Sequence, residues 1–123
     1  MTLREKQAEF LVMVSKLISF AEVCLHKKLF VLEWYRTRET QESYVRRGVS
    51  KTMNSKHLKG LAVDLAFLDD VLDDKILNYT PEHYKPLGEY WEKLGGRWGG
   101  RFGDNPATEK IEGWDSGHFE YKG

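Results

Sequence analysis

Apolar positions in the first part of the chain recur at helical spacing. Phe10, Val14, Leu17, Ala21 and Cys24 form one stripe, widened by Met13, Ile18 and Leu25, while Glu5, Glu9, Lys16 and Lys27 fall off it. This spacing predicts a single amphipathic helix over residues 3–27, with Cys24 a small buried hydrophobe on its inner face. The polar side is not dominated by cations, so the stripe is expected to meet a core and not a membrane surface. Leu29–Tyr35 is rich in strand formers and predicts a buried strand. Thr37 is a helix cap, Arg38–Arg47 has helix-forming composition, and Gly48 is a natural stop. The polar residues 49–56 read as a loop, and Leu61–Phe67 as a second buried strand interrupted by Asp64. Residues 69–79 hold four aspartates and little periodicity, which predicts a loop. Pro81 opens a helix to about Leu94, with Gly95-Gly96 as its stop. Residues 96–117 mix glycine and polar residues with Trp98, Phe102 and Trp114, and Gly117–Tyr121 reads as a last strand. The order helix, strand, helix, strand, helix, strand predicts an α+β domain with its sheet against the long helix.

Length and composition narrow the function classes. A chain of 123 residues is one domain's worth, so residues 1–123 are expected to form a single domain. With 41% hydrophobic and 13% aromatic residues, disorder is a poor reading. No apolar run approaches the roughly 18 residues of a membrane span. No cationic segment followed by an apolar stretch and cleavage site opens the chain, so no secretory signal is expected. One cysteine excludes an internal disulfide and any multi-cysteine zinc site. The 19 Lys/Arg balance the 19 Asp/Glu, and neither charge nor motif indicates nucleic acid. The charge is uneven: residues 1–60 carry twelve cations against six anions, and residues 61–123 seven against thirteen. Arg46, Arg47, Lys51, Lys56 and Lys59 read either as solvated surface or as a patch for an anionic polymer.

Asp64 is the most informative residue. It interrupts an apolar strand, where a carboxylate needs a cation, a metal or several hydrogen bonds. An ion pair with an arginine is one reading. His57, seven residues earlier, and His118, near the C-terminus, supply another. Two imidazoles and a carboxylate are good zinc ligands and leave a fourth position for water. Asp115, three residues before His118, stands where a general base for that water belongs. His26, beside Lys27 and Lys28, suits a helix C-terminus, and His83 is expected to be exposed. Asp69, Asp70, Asp73 and Asp74 lack the glycine and closing glutamate of a calcium loop and read as solvated. Trp98, Phe102 and Trp114 are candidates to line a groove, whereas Trp91 is expected in the core.

Four segments, taken in order, resemble the zinc D-alanyl-D-alanine peptidase (VanX/VanY-like) family, above all its phage L-alanyl-D-glutamate endopeptidase branch. They are Arg36-Thr37-Arg38-Glu39-Thr40-Gln41, Ser55 to Asp64 (Ser-x-His-x-x-Gly-x-Ala-x-Asp), Gly95-Gly96-Arg97-Trp98, and Asp115-Ser116-Gly117-His118-Phe119-Glu120. The two glycines of the third are displaced by one position from the family's usual spacing. The resemblance covers roughly residues 29–121. It implies a hedgehog/D-Ala-D-Ala peptidase-like fold: a small antiparallel sheet against a long N-terminal helix and two further helices, with the zinc site in a cleft. It also implies Zn2+ on His57, Asp64 and His118, Asp115 as catalytic base, and Arg36 by the scissile carbonyl. Gln41, Ser55 and Glu120 fall around that site, Glu120 as a partner fixing a ligand imidazole or as an ordinary strand residue. Many carboxypeptidase and dipeptidase relatives have Glu at the base position; Asp115 resembles the endopeptidase branch.

The function so implied is a zinc metallopeptidase that cuts the peptidoglycan stem peptide between L-Ala and D-Glu as a phage or prophage endolysin. A monomer is expected, with no stable membrane insertion. It would be made in the host cytoplasm and act on the wall after holin-dependent release. The alternatives are a D-Ala-D-Ala carboxypeptidase or dipeptidase, and a non-catalytic wall-binding module on the same fold.

Overall fold

A computed structural model describes residues 1–48, 55–72, 75–76, 78–102 and 115–123. Thr2 starts the first helix, α1 (Leu3–Cys24), with a reciprocal capping box. Its hydroxyl accepts the Glu5 N–H at 3.1 Å, and the Glu5 carboxylate accepts the Thr2 N–H at 3.1 Å. The buried face of α1 is Phe10, Met13, Val14, Leu17 and Ala21. Cys24 was expected on that face and is instead exposed, as is Ile18. Leu25, four residues after Ala21, takes the core-facing position at this end of the stripe, and Cys24, three after it, turns outward. His26 takes a left-handed conformation (φ 56°), and the Lys27 N–H donates back to the Ala21 carbonyl at 3.0 Å.

Strand β1 (Leu29–Glu33) is shorter and more exposed than the expected buried strand: Val31, Leu32 and Tyr35 are all exposed. Helix α2 (Arg38–Arg46) follows, capped by the Thr37 hydroxyl, which accepts the Thr40 N–H at 3.1 Å. Strand β2 (Ala62–Phe67) is the predicted apolar strand. The expected loop beyond it contains a short antiparallel ladder of β3 (Val71–Leu72) and β4 (Lys75–Ile76). Helix α3 (Pro81–Lys93) has Thr80 as its cap and proline in its first turn, where a missing N–H costs nothing. The glycine-rich stretch after it holds β5 (Arg97–Trp98), which composition did not announce, and β6 (His118–Glu120) closes the sheet.

These strands form one antiparallel sheet in the order β1-β2-β6-β5. Among the described residues β1 is an edge strand with a single neighbour, which leaves its apolar residues exposed. Alternation along the central strands sends Val63, Leu65, Phe67 and Phe119 into the core with α1 and α3. Trp91 lies in that core as expected. Trp98, expected at a groove, is fully buried there too, and its indole N–H donates to the Ser116 carbonyl at 2.7 Å. The opposite parity carries Asp64, directly paired with His118, and Glu120, paired with Arg97. Trp114, Asp73, Asp74 and Lys51 lie outside the described residues. No helix among the described residues is long and apolar enough to cross a membrane.

Candidate metal centre and active site

His57 is delivered by a single 3-10 turn, Lys56–Lys59, between Phe30's sheet partner strand and the preceding segment. Ser55 caps this turn, its hydroxyl accepting the His57 N–H at 3.2 Å, and Gly60 ends it at φ 66°, a conformation that favours glycine. The Arg36 N–H donates to the His57 carbonyl at 3.0 Å, and His57 Nδ1 lies 2.7 Å from the Trp34 carbonyl. A carbonyl only accepts, so Nδ1 carries the proton and Nε2 presents its lone pair.

His118 is delivered by the tight turn from Asp115, closed by the His118 N–H to the Asp115 carbonyl at 3.0 Å. The turn is packed so closely that a Cβ on Gly99 would lie 2.1 Å from the Asp115 carbonyl oxygen. A Cβ on Gly117 would lie 2.0 Å from the Tyr79 hydroxyl. His118 Nε2 is 2.8 Å from Glu120 Oε1, whose partner oxygen is 3.6 Å from an Arg97 guanidinium nitrogen. Nε2 is the donor to that carboxylate, which leaves Nδ1 directed at Asp64.

The three groups converge. His118 Nδ1 is 2.9 Å from Asp64 Oδ1, and His57 Nε2 is 3.3 Å from Asp64 Oδ2. One ligand atom from each of His57, Asp64 and His118 lies within 4.8 Å of the other two. Among the described residues this is the one His/Cys/Asp/Glu group of three or more that can hold a metal. Asp115 Oδ2 stands 3.6 Å from His118 Nδ1. The imidazoles are buried, whereas the side chains of Asp64 and Asp115 keep 20% and 30% of their surface exposed, so the site opens through its carboxylates. Phe102 packs on the His118 ring at 5.4 Å.

The electrostatics separate the two aspartates. Burial works to raise the Asp64 carboxyl, but the hydrogen bonds and charges of His118 and His57 outweigh it and hold it at about 2. Burial also disfavours the His118 cation, yet Asp64, Glu120 and Asp115 push its pKa up to about 9. Asp115 has no such hydrogen bonds. Burial raises its pKa, assisted by the like charge of Asp64 and opposed by His118, His57 and Arg36. The Tyr79 hydroxyl is raised by burial and by both aspartates, and so stays neutral.

Arg36 lies on the β1 side of this cluster, its side chain only 10% exposed. Its Nη1 donates to Gln41 Oε1 at 2.6 Å, and its Nε donates to Glu33. Arg36 and Gln41 are thus brought together on the β1 side of the His57, Asp64 and His118 trio, while Ser55 serves as the cap of the His57 turn. Glu33, Tyr44, Tyr79 and Arg97 were not singled out from the sequence. Arg97 lies in the third family-like segment, at its variable position, and the other three left no signal there. His83 was expected to be exposed. It is half-buried between Phe67 and Tyr84 and pairs with Asp70, which is therefore not solvated as expected, whereas Asp69 stays exposed, 3.5 Å from Lys27.

Two imidazoles and a carboxylate beside a small antiparallel sheet, with a second carboxylate next to them, make a donor set that could hold a metal and serve hydrolysis. A profile of the D-alanyl-D-alanine carboxypeptidase family matches residues 48–121, more than half of the chain, and the chain belongs to that family of metallopeptidases. Two solved structures share its fold. The L-Ala D-Glu endopeptidase ChiX of Serratia marcescens superposes with a TM-score of 0.55 at 22% identity, over 86% of this chain and 77% of its own. A variant of VanY, a vancomycin-resistance D,D-pentapeptidase from a VanB-type cassette, in complex with Zn(II), gives 0.58 at 22% identity, over 93% of this chain and 71% of its own. No curated protein sequence matches the chain significantly.

Proposed function

We propose that the chain is a zinc-dependent peptidoglycan hydrolase that cuts the stem peptide at the L-Ala–D-Glu bond. The observation that carries this reading is the convergence of His57 Nε2, His118 Nδ1 and the Asp64 carboxylate, with the far nitrogen of each ring committed to the Trp34 carbonyl or to Glu120. Such a donor set fits zinc: the lone pairs point inward and each ring is locked by an outer partner. Bound there, zinc supplies Lewis-acid polarisation of the scissile carbonyl and a water acidic enough to ionise near neutral pH.

The chain's own residues supply the rest. The Asp115 carboxylate takes a proton from the attacking water and returns it to the leaving amine, a role suited to a carboxyl whose pKa is raised by burial. The N–H groups that Arg36 does not spend on Glu33 and Gln41 stabilise the developing oxyanion. Glu120 keeps the His118 ring in its ligating tautomer. Aspartate at the base position, as in the endopeptidase branch that the four segments resemble, favours the L-Ala–D-Glu bond. The family's own description favours a second reading, a D-Ala-D-Ala carboxypeptidase. A phage or prophage endolysin, released from the host cytoplasm through a holin and acting as a monomer, is the role that accords with the endopeptidase resemblance.

Digestion of purified Gram-negative peptidoglycan tests the proposal. Metal-free protein, zinc-restored protein and a zinc-restored His57→Ala variant are compared, and released termini are identified by mass spectrometry. New D-Glu amino termini that require zinc and His57 are expected. Free D-Ala would assign the carboxypeptidase reading. No product from a zinc-loaded chain would overturn both and leave a binding module.

A further inference from the structure

The geometry points to Glu33, with Tyr44, as a positioning residue that acts through Arg36; we infer that it aims the guanidinium at the reacting centre. The inference rests on the reading of Arg36 given above. It begins with the β1–β2 register. Val31 pairs with Leu65, so a regular ladder would next bring Leu32 opposite Asp64. A bulge between Val31 and Glu33 brings Glu33 opposite Asp64 instead. Directly paired residues share a face, so the irregularity turns a carboxylate, and not a leucine, toward the face that carries the metal ligands.

Both oxygens of that carboxylate are used. Oε1 accepts from Arg36 Nε, and Oε2 accepts from the Tyr44 hydroxyl at 3.2 Å. The Tyr44 ring lies against the guanidinium, 4.7 Å from its carbon. Arg36 has five N–H groups in a rigid fork. One goes to Glu33 and one to Gln41, which itself is fully buried. One edge and one face of the guanidinium are therefore fixed, and the uncommitted N–H groups have a single orientation. Glu33 also supplies a counter-charge. A guanidinium beside a divalent cation is repelled by it, and an adjacent carboxylate outside the ligand trio offsets that repulsion without competing for the metal.

A double-mutant cycle on stem-peptide hydrolysis tests this. Glu33→Ala should lower kcat by about 10–100-fold, the range for outer partners of functional groups, with zinc content nearly unchanged. KM should move by no more than about threefold, because the loss falls on the transition state. Glu33→Gln keeps an acceptor for Arg36 and should recover most of the rate. Glu33→Ala combined with Arg36→Ala should be no slower than Arg36→Ala alone. A double variant slower by the full Glu33→Ala factor would overturn the inference. If Arg36→Ala itself leaves kcat unchanged, the oxyanion reading of Arg36 fails. The positioning claim is then decided by NMR of the zinc-loaded protein. A slowly exchanging Arg36 Nε–H signal that disappears in Glu33→Ala and survives in Glu33→Gln supports it, and one that persists in Glu33→Ala sinks it.

Discussion

Histidine meets aspartate twice along β2. Within the strand, His57 and His118 close on the two oxygens of Asp64. Just past its end, His83 meets Asp70, with its ring between Phe67 and Tyr84. The residue types are the same, yet the surroundings differ in three ways. Asp64 has two imidazoles and Asp70 has one. The far nitrogens of His57 and His118 are tied to the Trp34 carbonyl and to Glu120. A further carboxylate, Asp115, stands beside His118, whereas the neighbour of Asp70, Asp69, is an exposed side chain 3.5 Å from Lys27. A histidine–aspartate contact becomes a candidate metal centre when lone pairs are forced to converge. Otherwise it ties a helix to a strand end.

The difference can be broken in graded steps. The largest effect is expected at Asp115. Asp115→Asn should keep zinc and lose about 10²–10⁴-fold in kcat, the range for a general base. Full turnover in that variant would remove Asp115 from the mechanism. A smaller effect is expected at Glu120, which touches only the far edge of a ligand ring. Glu120→Gln should weaken zinc affinity or activity by about 10–100-fold, measured by competition with a chromogenic chelator. The smallest belongs to the second contact. His83→Ala should leave zinc stoichiometry and activity intact and cost about 1 kcal/mol in thermal unfolding. Loss of zinc from the His83 variant would show that the His83–Asp70 contact is part of the metal centre.

Period and punctuation carried most of the fold into view. The stripe of α1, the Thr37 cap of α2, the apolar run of β2 and the proline start of α3 are local signals, and each element formed within a few residues of its expected bounds. The misses have tertiary causes. Cys24 sits at helical spacing, but the core-facing position at that end of the stripe is taken by Leu25, one residue on. β1 reads as buried because composition does not show that a strand has only one neighbour. β5 is two residues long, too short for any period, and is held by pairing with β6. Of the site, His57, Asp64, His118 and Asp115 were legible from their chemistry and from the four-segment resemblance. Glu33 was not, because a bulge and not the sequence alternation sets its face. His83 was misjudged because its partner, Asp70, lies thirteen residues away across a segment without periodicity.

The most direct test is calorimetric titration of zinc into metal-free protein, with matched titrations of the His118→Ala, Asp64→Ala and His83→Ala variants. One zinc per chain is expected for the wild type and for His83→Ala, and none at comparable affinity for the other two. The wild type should also release a proton on binding. Against the opposing effect of burial, Asp64 and Glu120 hold the His118 pKa at about 9, so near neutral pH zinc must displace that proton. Affinity should therefore fall as the pH is lowered. Zinc uptake that survives His118→Ala or Asp64→Ala unchanged would contradict the account at its centre.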